Sequence, residues 1–301
     1  MRKLLAIILA SSFLFTFINA QAQKSSEVPV EKALLWEITG NEVEEPSYLY
    51  GTIHMIGKDD YFLTDATKNA FETSQRVAFE IDMEDMMDFS KLMPLMMKAF
   101  MTGDTTLSDL LSEEDYLIVK AHFETIGLPM MFVERIKPMF LSMMGQGDML
   151  SMDTEEGSSE VVSYEMEFMK MAQEKGKPID GLETAEFQMS MISDSIPYDV
   201  QAEMLLETIQ SEEESAGQFD EMVKLYKAQD IDAMQSLMDE EEGISEYGDL
   251  LLVQRNRNWI PIMSEMMKEG PVFFAVGAGH LGGKEGVIAL LRAEGYTLRP
   301  L

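Results

Sequence analysis

Apolar and polar positions alternate with two different periods along this chain. Residues 33–38, 48–53 and 76–81 read as strands, with a turn-rich connection at 41–46. Val272 to Val276 is an uninterrupted apolar run, the mark of a strand buried on both faces, and Tyr296 to Leu298 is a short final strand. Between them the period lengthens to that of helices. Thr64-Asp65 caps a helix to about Ser74, residues 83–101 are helical and rich in Met, and Ser112-Glu113-Glu114 opens a further helix. Residues 128–149, interrupted by Pro129 and Pro138, read as a broken helix. A helix over 161–175 stops at Gly176, and a short strand over 178–182 and more helices to about Met267 follow. The predicted fold is α/β, a mixed central sheet built from both chain ends with a largely helical middle insertion at about 83–267.

The N-terminus changes the picture of compartment. Arg2 and Lys3 precede an apolar run to Phe17, and Ala20-Gln21-Ala22 supplies an A-x-A site. This is the pattern of a secretory signal peptide cleaved after Ala22. A polar linker over 23–32 and one domain over 33–301 are expected to follow. The apolar run is shorter than the roughly 20 residues needed to span a bilayer. Export to the periplasm or the medium is the expectation, with no stable membrane span after cleavage.

Composition narrows the chemistry. With 54 Asp and Glu against 23 Lys and Arg, the 301-residue chain carries −31, and −33 without Arg2 and Lys3. Nucleic acid is a poor partner for such a surface. The absence of Cys removes disulfides, thiol nucleophiles and Cys-ligated metals, so a metal site has to use His and carboxylates. The 28 Met include adjacent pairs at 86–87, 96–97, 130–131, 143–144 and 266–267. On a helix neighbours point about 100° apart, so these pairs are read as widening apolar faces in the helical core, with an adaptable edge toward substrate.

Two of the three histidines share one setting. Tyr48-Leu49-Tyr50 leads into Gly51-Thr52-Ile53-His54, and Val272 to Val276 leads into Gly277-Ala278-Gly279-His280. A strand followed by G-x-x-H places each imidazole at the carboxyl edge of the sheet, where open α/β sheets build sites. Neutral imidazole is a common metal ligand. His122, on an acidic helix, is read as a surface residue. Glu80, within Phe79-Glu80-Ile81-Asp82 at a strand end, is a third candidate, as metal ligand or, with a pKa raised by burial, as general base. In Arg255-Asn256-Arg257-Asn258-Trp259, Arg255 and Trp259 share a helix face. Arg255 is a candidate clamp for developing negative charge, and Arg257 is read as solvated and ion-paired.

Taken in order, GTIH after a strand, FEID, Gly181-Leu182-Glu183-Thr184, the Arg255-Asn256 pair and AVGAGHLGGKEGVIALLRAEGY resemble the TraB/GumN family, which includes metalloproteases of the Tiki type. The resemblance runs from about Leu35 to Leu301. Gln254 stands where relatives often carry an acid, and Trp259 where Met is frequent. The resemblance implies an erythromycin esterase/ChaN-like fold and a metal-dependent hydrolase acting on a peptide or protein. Its Mn, Co or Zn ion would be held by His54, His280 and Glu80, with Arg255 and Asn256 in the catalytic machinery. Other expectations fit the same residues: a haem- or metal-binding protein without catalysis, or a Met-rich peptide-binding module.

Overall fold

The computed structural model describes residues 31–82, 88–145, 161–239 and 247–301. The signal peptide, most of the 23–32 linker, and the Met pair at 86–87 lie outside the described residues. Residues from Glu31 to Leu301 form one compact unit.

Six strands make the main sheet: β1 (Leu35–Gly40), β2 (Ser47–Thr52), β4 (Arg76–Ile81), β6 (Ile179–Glu183), β7 (Val272–Gly277) and β8 (Tyr296–Pro300). Their spatial order is β6-β4-β7-β2-β1-β8. β6, β4, β7 and β2 run parallel, and β1 is antiparallel to both β2 and β8. A separate ladder joins β3 (Ile56–Gly57) to β5 (Val161–Val162), pairing Ile56 with Val162. The sheet is therefore not assembled from the chain ends alone, because the middle of the chain supplies the edge strand β6.

β7 lies between β4 and β2, and Val272 to Val276 are all buried. Each large apolar side chain buried there contributes about 1.5–3 kcal/mol. Phe273 packs edge-on against Phe71 and tilted against Phe168, while Tyr50 meets Phe168 edge-on. Tyr226 donates to the carbonyl of Gly51 at 3.0 Å, which ties the helix over Glu212–Lys227 to the end of β2. A second apolar cluster, including Met101, Leu107, Val119, Phe123, Val133, Leu141 and Leu205, lies wholly within the helical middle.

At two helix starts local signals act as the sequence predicts, with the hydroxyls of Thr64 and Ser112 each accepting from a backbone N–H of the first turn. Ser163 and Thr184 cap helices in the same way, and the helix expected over 161–175 begins only at Tyr164 because Val161–Val162 pair as β5. Gly176 closes the helix Tyr164–Lys175 in the left-handed conformation. Pro138 opens a new helix, Pro138–Gly145, after the short Met130–Val133, so the expected break is present within 128–145, and 146–149 lie outside the described residues.

The methionines meet the expectation of core filling only in part: Met101, Met169, Met191, Met234 and Met263 are buried. Met130 and Met267 are buried, but on the helix Phe89–Lys98 the side chains of Met93, Met96 and Met97 face solvent with Phe89, and Met131 is 80% exposed. Leu95 is the buried residue of that helix, which packs against the helix Ala185–Asp194. His122 also differs: it is half-buried, and its Nε2 has no hydrogen-bond partner. Among the described residues no helix is long and apolar enough to cross a membrane.

Candidate functional site

Four parallel strands deliver their carboxyl ends to one edge of the sheet. In spatial order these ends carry Glu183 (β6), Glu80 (β4), His280 (after β7) and His54 (after β2). Neighbouring strands lie about 4.8 Å apart, so the four side chains form a row along the edge. The leading glycines of the two G-x-x-H segments are required by close packing. A Cβ on Gly51 would lie 2.9 Å from Leu281 and 3.1 Å from Ala278, so one G-x-x-H loop rests directly on the other. A Cβ on Gly277 would press on Glu80 Oε1 at 3.2 Å, the oxygen that accepts from the Gly277 N–H at 2.8 Å.

Arg255 binds the row together. It begins the helix Gln254–Glu269 directly after a π-helical turn, Asp249–Val253, a distortion common at functional sites. Its Nε donates to Glu183 Oε1 at 2.8 Å, and Nη2 reaches that oxygen at 2.7 Å and Glu80 Oε2 at 2.5 Å. Nη1 donates to the Leu251 carbonyl at 3.1 Å and meets His280 Nε2 at 3.2 Å. A guanidinium has five N–H donors, and four hydrogen bonds and an ion-pair contact hold this one among its protein partners. Trp259 lies beneath it, with Arg255 Cζ 5.0 Å from the ring, and its indole donates to Glu183 Oε2 at 3.0 Å. The shared helix face predicted for Arg255 and Trp259 is thus present, and Arg257 is exposed and paired with Glu285 as expected. As for the expected clamp on substrate charge, the hydrogen bonds of Arg255 run to Glu80, Glu183, His280 and the Leu251 carbonyl.

Asn256 fixes the second histidine. Its Nδ2 donates to the Glu285 carbonyl at 2.9 Å, which turns Oδ1 toward His280 Nδ1 at 2.6 Å. The imidazole therefore carries its proton on Nδ1 and presents the Nε2 lone pair to Arg255. Burial lowers the His280 pKa to about 4, Arg255 and His54 adding to the effect and Glu80 opposing it. Asn256 and Arg255 are positioning residues here.

Glu80 is not the raised-pKa base that the sequence suggests. Burial does favour its neutral form, but His280, Arg255, His54 and the Gly277 N–H outweigh burial and hold the pKa at about 2. Gln188, from the helix Ala185–Asp194, adds a hydrogen bond to Oε2 at 3.1 Å. So weak a base, with both oxygens engaged, is a poor proton acceptor. Glu183 goes the other way: burial raises its pKa, and the bonds from Arg255 and Trp259 compensate only in part.

His54 is separated from this buried group by its environment. Its side chain is 81% exposed, and Nδ1 lies 3.4 Å from Glu165 Oε1, on a side chain only 12% exposed. The small ladder explains the meeting, because β3 starts two residues after His54 and β5 ends three residues before Glu165. Thr52 and Ser163 donate to Glu165 at 2.6 and 3.1 Å and hold it in place. The hydrogen bond to Glu165, helped by the charges of Glu165 and Glu80, raises the His54 pKa.

These residues were also expected to hold a metal. Two imidazoles and carboxylates are a donor set suited to Mn, Co or Zn, but their arrangement does not fit one. Glu80 Oε1 and His280 Nε2 do come together, 3.6 Å apart, yet Arg255 donates to both side chains, and His54 turns away to Glu165. Among the described residues no three His, Cys, Asp or Glu side chains form a metal-holding group.

A sequence profile of the TraB/PrgY/gumN family matches residues 34–300, nearly the whole described unit. The chain belongs to the TraB/PrgY/gumN family. This TraB/PrgY/gumN chain is 23% identical over 315 residues to Metalloprotease TIKI2 of Danio rerio, across 88% of this chain and 60% of that protein. It is 34% identical over 97 residues to Metalloprotease TIKI1 of Danio rerio, across 32% of this chain and 18% of that protein. It thus spans less than two thirds of the length of either relative. No solved structure matches it.

Sequence reasoning on this TraB/PrgY/gumN chain missed three contributors. Glu183 ends a parallel strand as Glu80 does, so the rule that found one acid could have found the other. Gln188 and Glu165 lie on helices with no such marker, and only the tertiary fold brings them to the edge.

Proposed function

We propose that this chain is an exported peptide hydrolase in which His54, oriented by Glu165, takes the proton from the attacking water. The observation that carries this reading is the exposed His54 with Nδ1 on a nearly buried carboxylate, which leaves Nε2 free to meet water at the strand-end edge. The water proton passes to Nε2 as its oxygen bonds to the carbonyl carbon. The same proton then goes to the leaving amine. No step runs through a metal. The peptide class is taken from the relatives, both titled metalloproteases, export from residues 1–22, and an erythromycin esterase/ChaN-like ancestry from the sequence resemblance. Arg255, Asn256, His280, Glu80 and Glu183 form the rigid floor of the site.

His54→Ala should lower turnover of a cleaved peptide about 100-fold or more, the contribution of a positioned base, and leave the melting temperature near wild type because the ring is exposed. Glu165 raises the His54 pKa, so the active, neutral imidazole dominates only on the alkaline side of an ordinary histidine. Glu165→Gln should therefore move the rising limb of the pH–rate profile to lower pH. An unshifted limb, or turnover within a few-fold of wild type in His54→Ala, would sink the assignment.

A second reading, a peptide-binding module without catalysis, is favoured by the exposed face of Phe89, Met93, Met96 and Met97. That helix joins the helix of Gln188 through Lys98, which donates to Ser190 at 2.9 Å. Replacing Met93, Met96 and Met97 together by Ser should weaken binding of an apolar peptide, measured by fluorescence anisotropy, with little change in stability. Unchanged affinity rules this face out as the peptide site, and peptide binding with no cleavage selects the second reading over the first.

A further inference from the structure

The buried acids of the sheet edge already have a cation. Arg255 lies within 2.5 Å of Glu80 and 2.7 Å of Glu183, and its Nη1 faces the one free lone pair of His280 at 3.2 Å. A divalent ion on Glu80 and His280 would need to sit about 2.0–2.2 Å from each donor atom. The gap between Glu80 Oε1 and His280 Nε2 is 3.6 Å, so the ion would lie between them, beside the guanidinium. Arginine cannot shed its charge to make room, since a guanidinium stays protonated in proteins, and two carboxylates flank it here. Leaving would break four hydrogen bonds, the ion pairs to Glu80 and Glu183, and the contact with Trp259. We infer that Arg255 is the resident cation of this pocket, and that Arg255 and a divalent metal ion are mutually exclusive occupants of the Glu80–His280 donor pair.

The inference separates this chain's buried donors from the metal dependence that its relatives' names imply, and it does not depend on peptide hydrolysis. A chain that cleaves nothing would leave it intact. The test uses the mature protein labelled with ¹⁵N in its histidines, Zn²⁺ in excess, and imidazole nitrogen spectra assigned with His54→Ala and His122→Ala. In the wild type the His280 Nε2 resonance should stay in place, while any shift is confined to the exposed His54 or to His122. In Arg255→Met the same titration should shift His280 Nε2. Calorimetry should then show a Zn²⁺ site at least about tenfold tighter than any in wild type, because a unit positive charge no longer faces the ion. That site should vanish in Arg255→Met/His280→Ala and should not appear in Arg255→Lys, which keeps the charge. Excess Zn²⁺ should also raise the melting temperature of Arg255→Met more than that of wild type.

A Zn²⁺-dependent shift of His280 Nε2 with Arg255 present overturns the inference. So does a folded Arg255→Met that gains no site. If Arg255→Met does not fold, the wild-type spectra decide the matter alone.

Discussion

Arg255→Met should be among the most destabilising single substitutions in this chain, lowering unfolding free energy by about 3–5 kcal/mol, the range for breaking a buried ion pair by removing one partner. The cause is charge arithmetic in a dry place. Glu80 and Glu183 are both buried carboxylates, Arg255 is the cation between them, and His280 is held neutral on its Nε2 side. With arginine present the group carries about one net negative charge. Without it, two negative charges share a pocket that has lost five N–H donors. Removing an acid has the opposite effect on the charge. Glu183→Gln leaves Glu80 and Arg255 as a neutral pair, and costs only the mismatched hydrogen bond of an amide NH₂ facing Trp259 or Arg255, about 1–3 kcal/mol. Introduced into Arg255→Met, however, Glu183→Gln relieves repulsion. The double variant should then be more stable than the sum of the single losses allows, by more than about 1 kcal/mol. Urea unfolding of the four proteins measures this coupling. Additive losses would mean that Arg255 acts through packing on Trp259 and not through its charge.

The parts of this site that were legible in the sequence are those dictated by local rules. An apolar run such as Val272 to Val276 can only be a buried strand, and a glycine right after it, followed by a histidine, puts that histidine at the sheet edge. The same rule serves for His54, two residues past the end of β2, and for Glu80, one residue before the end of β4. The pairing of Arg255 with Trp259 follows from helix period alone. What the sequence could not carry was direction and competition. His54 and His280 occupy equivalent sequence settings, yet one faces solvent and the other is buried. The difference arises from what packs above each loop: the β3–β5 ladder brings Glu165 to His54, while the helix Gln254–Glu269 lays Arg255, Asn256 and Trp259 over His280. Glu165 lies 111 residues from His54, and no periodicity links residues so far apart. The exposed methionines were not legible for a related reason. Helical spacing shows that Met93, Met96 and Met97 share a neighbourhood on one helix, but not whether another element covers it.

The neutral state of His280 has a consequence for acid stability, and its sign is fixed. The folded protein holds His280 at a pKa of about 4, chiefly through burial, while the unfolded chain titrates near 6.5. Between those values the unfolded state binds a proton that the folded state refuses, so stability rises with pH across this window and is lost as pH falls through it. The full difference is on the order of 3 kcal/mol, at 1.36 kcal/mol per unit. Glu80 extends the loss further into acid. Its folded pKa of about 2 lies below the ordinary 4.5, so its contribution is present above 4.5 and disappears as pH falls toward 2. Urea midpoints should therefore decline in two stages, first from about pH 6.5 to 4 and then below 4.5. His280→Gln, which keeps a polar side chain beside Asn256 but cannot take up the proton, should be less stable than wild type at pH 7 and should flatten the first stage while leaving the second. A wild-type midpoint that is level between pH 6.5 and 4.5 would show that His280 accepts a proton in the folded state. In that case the Nε2–H would point at Arg255, and the guanidinium could not remain where it is.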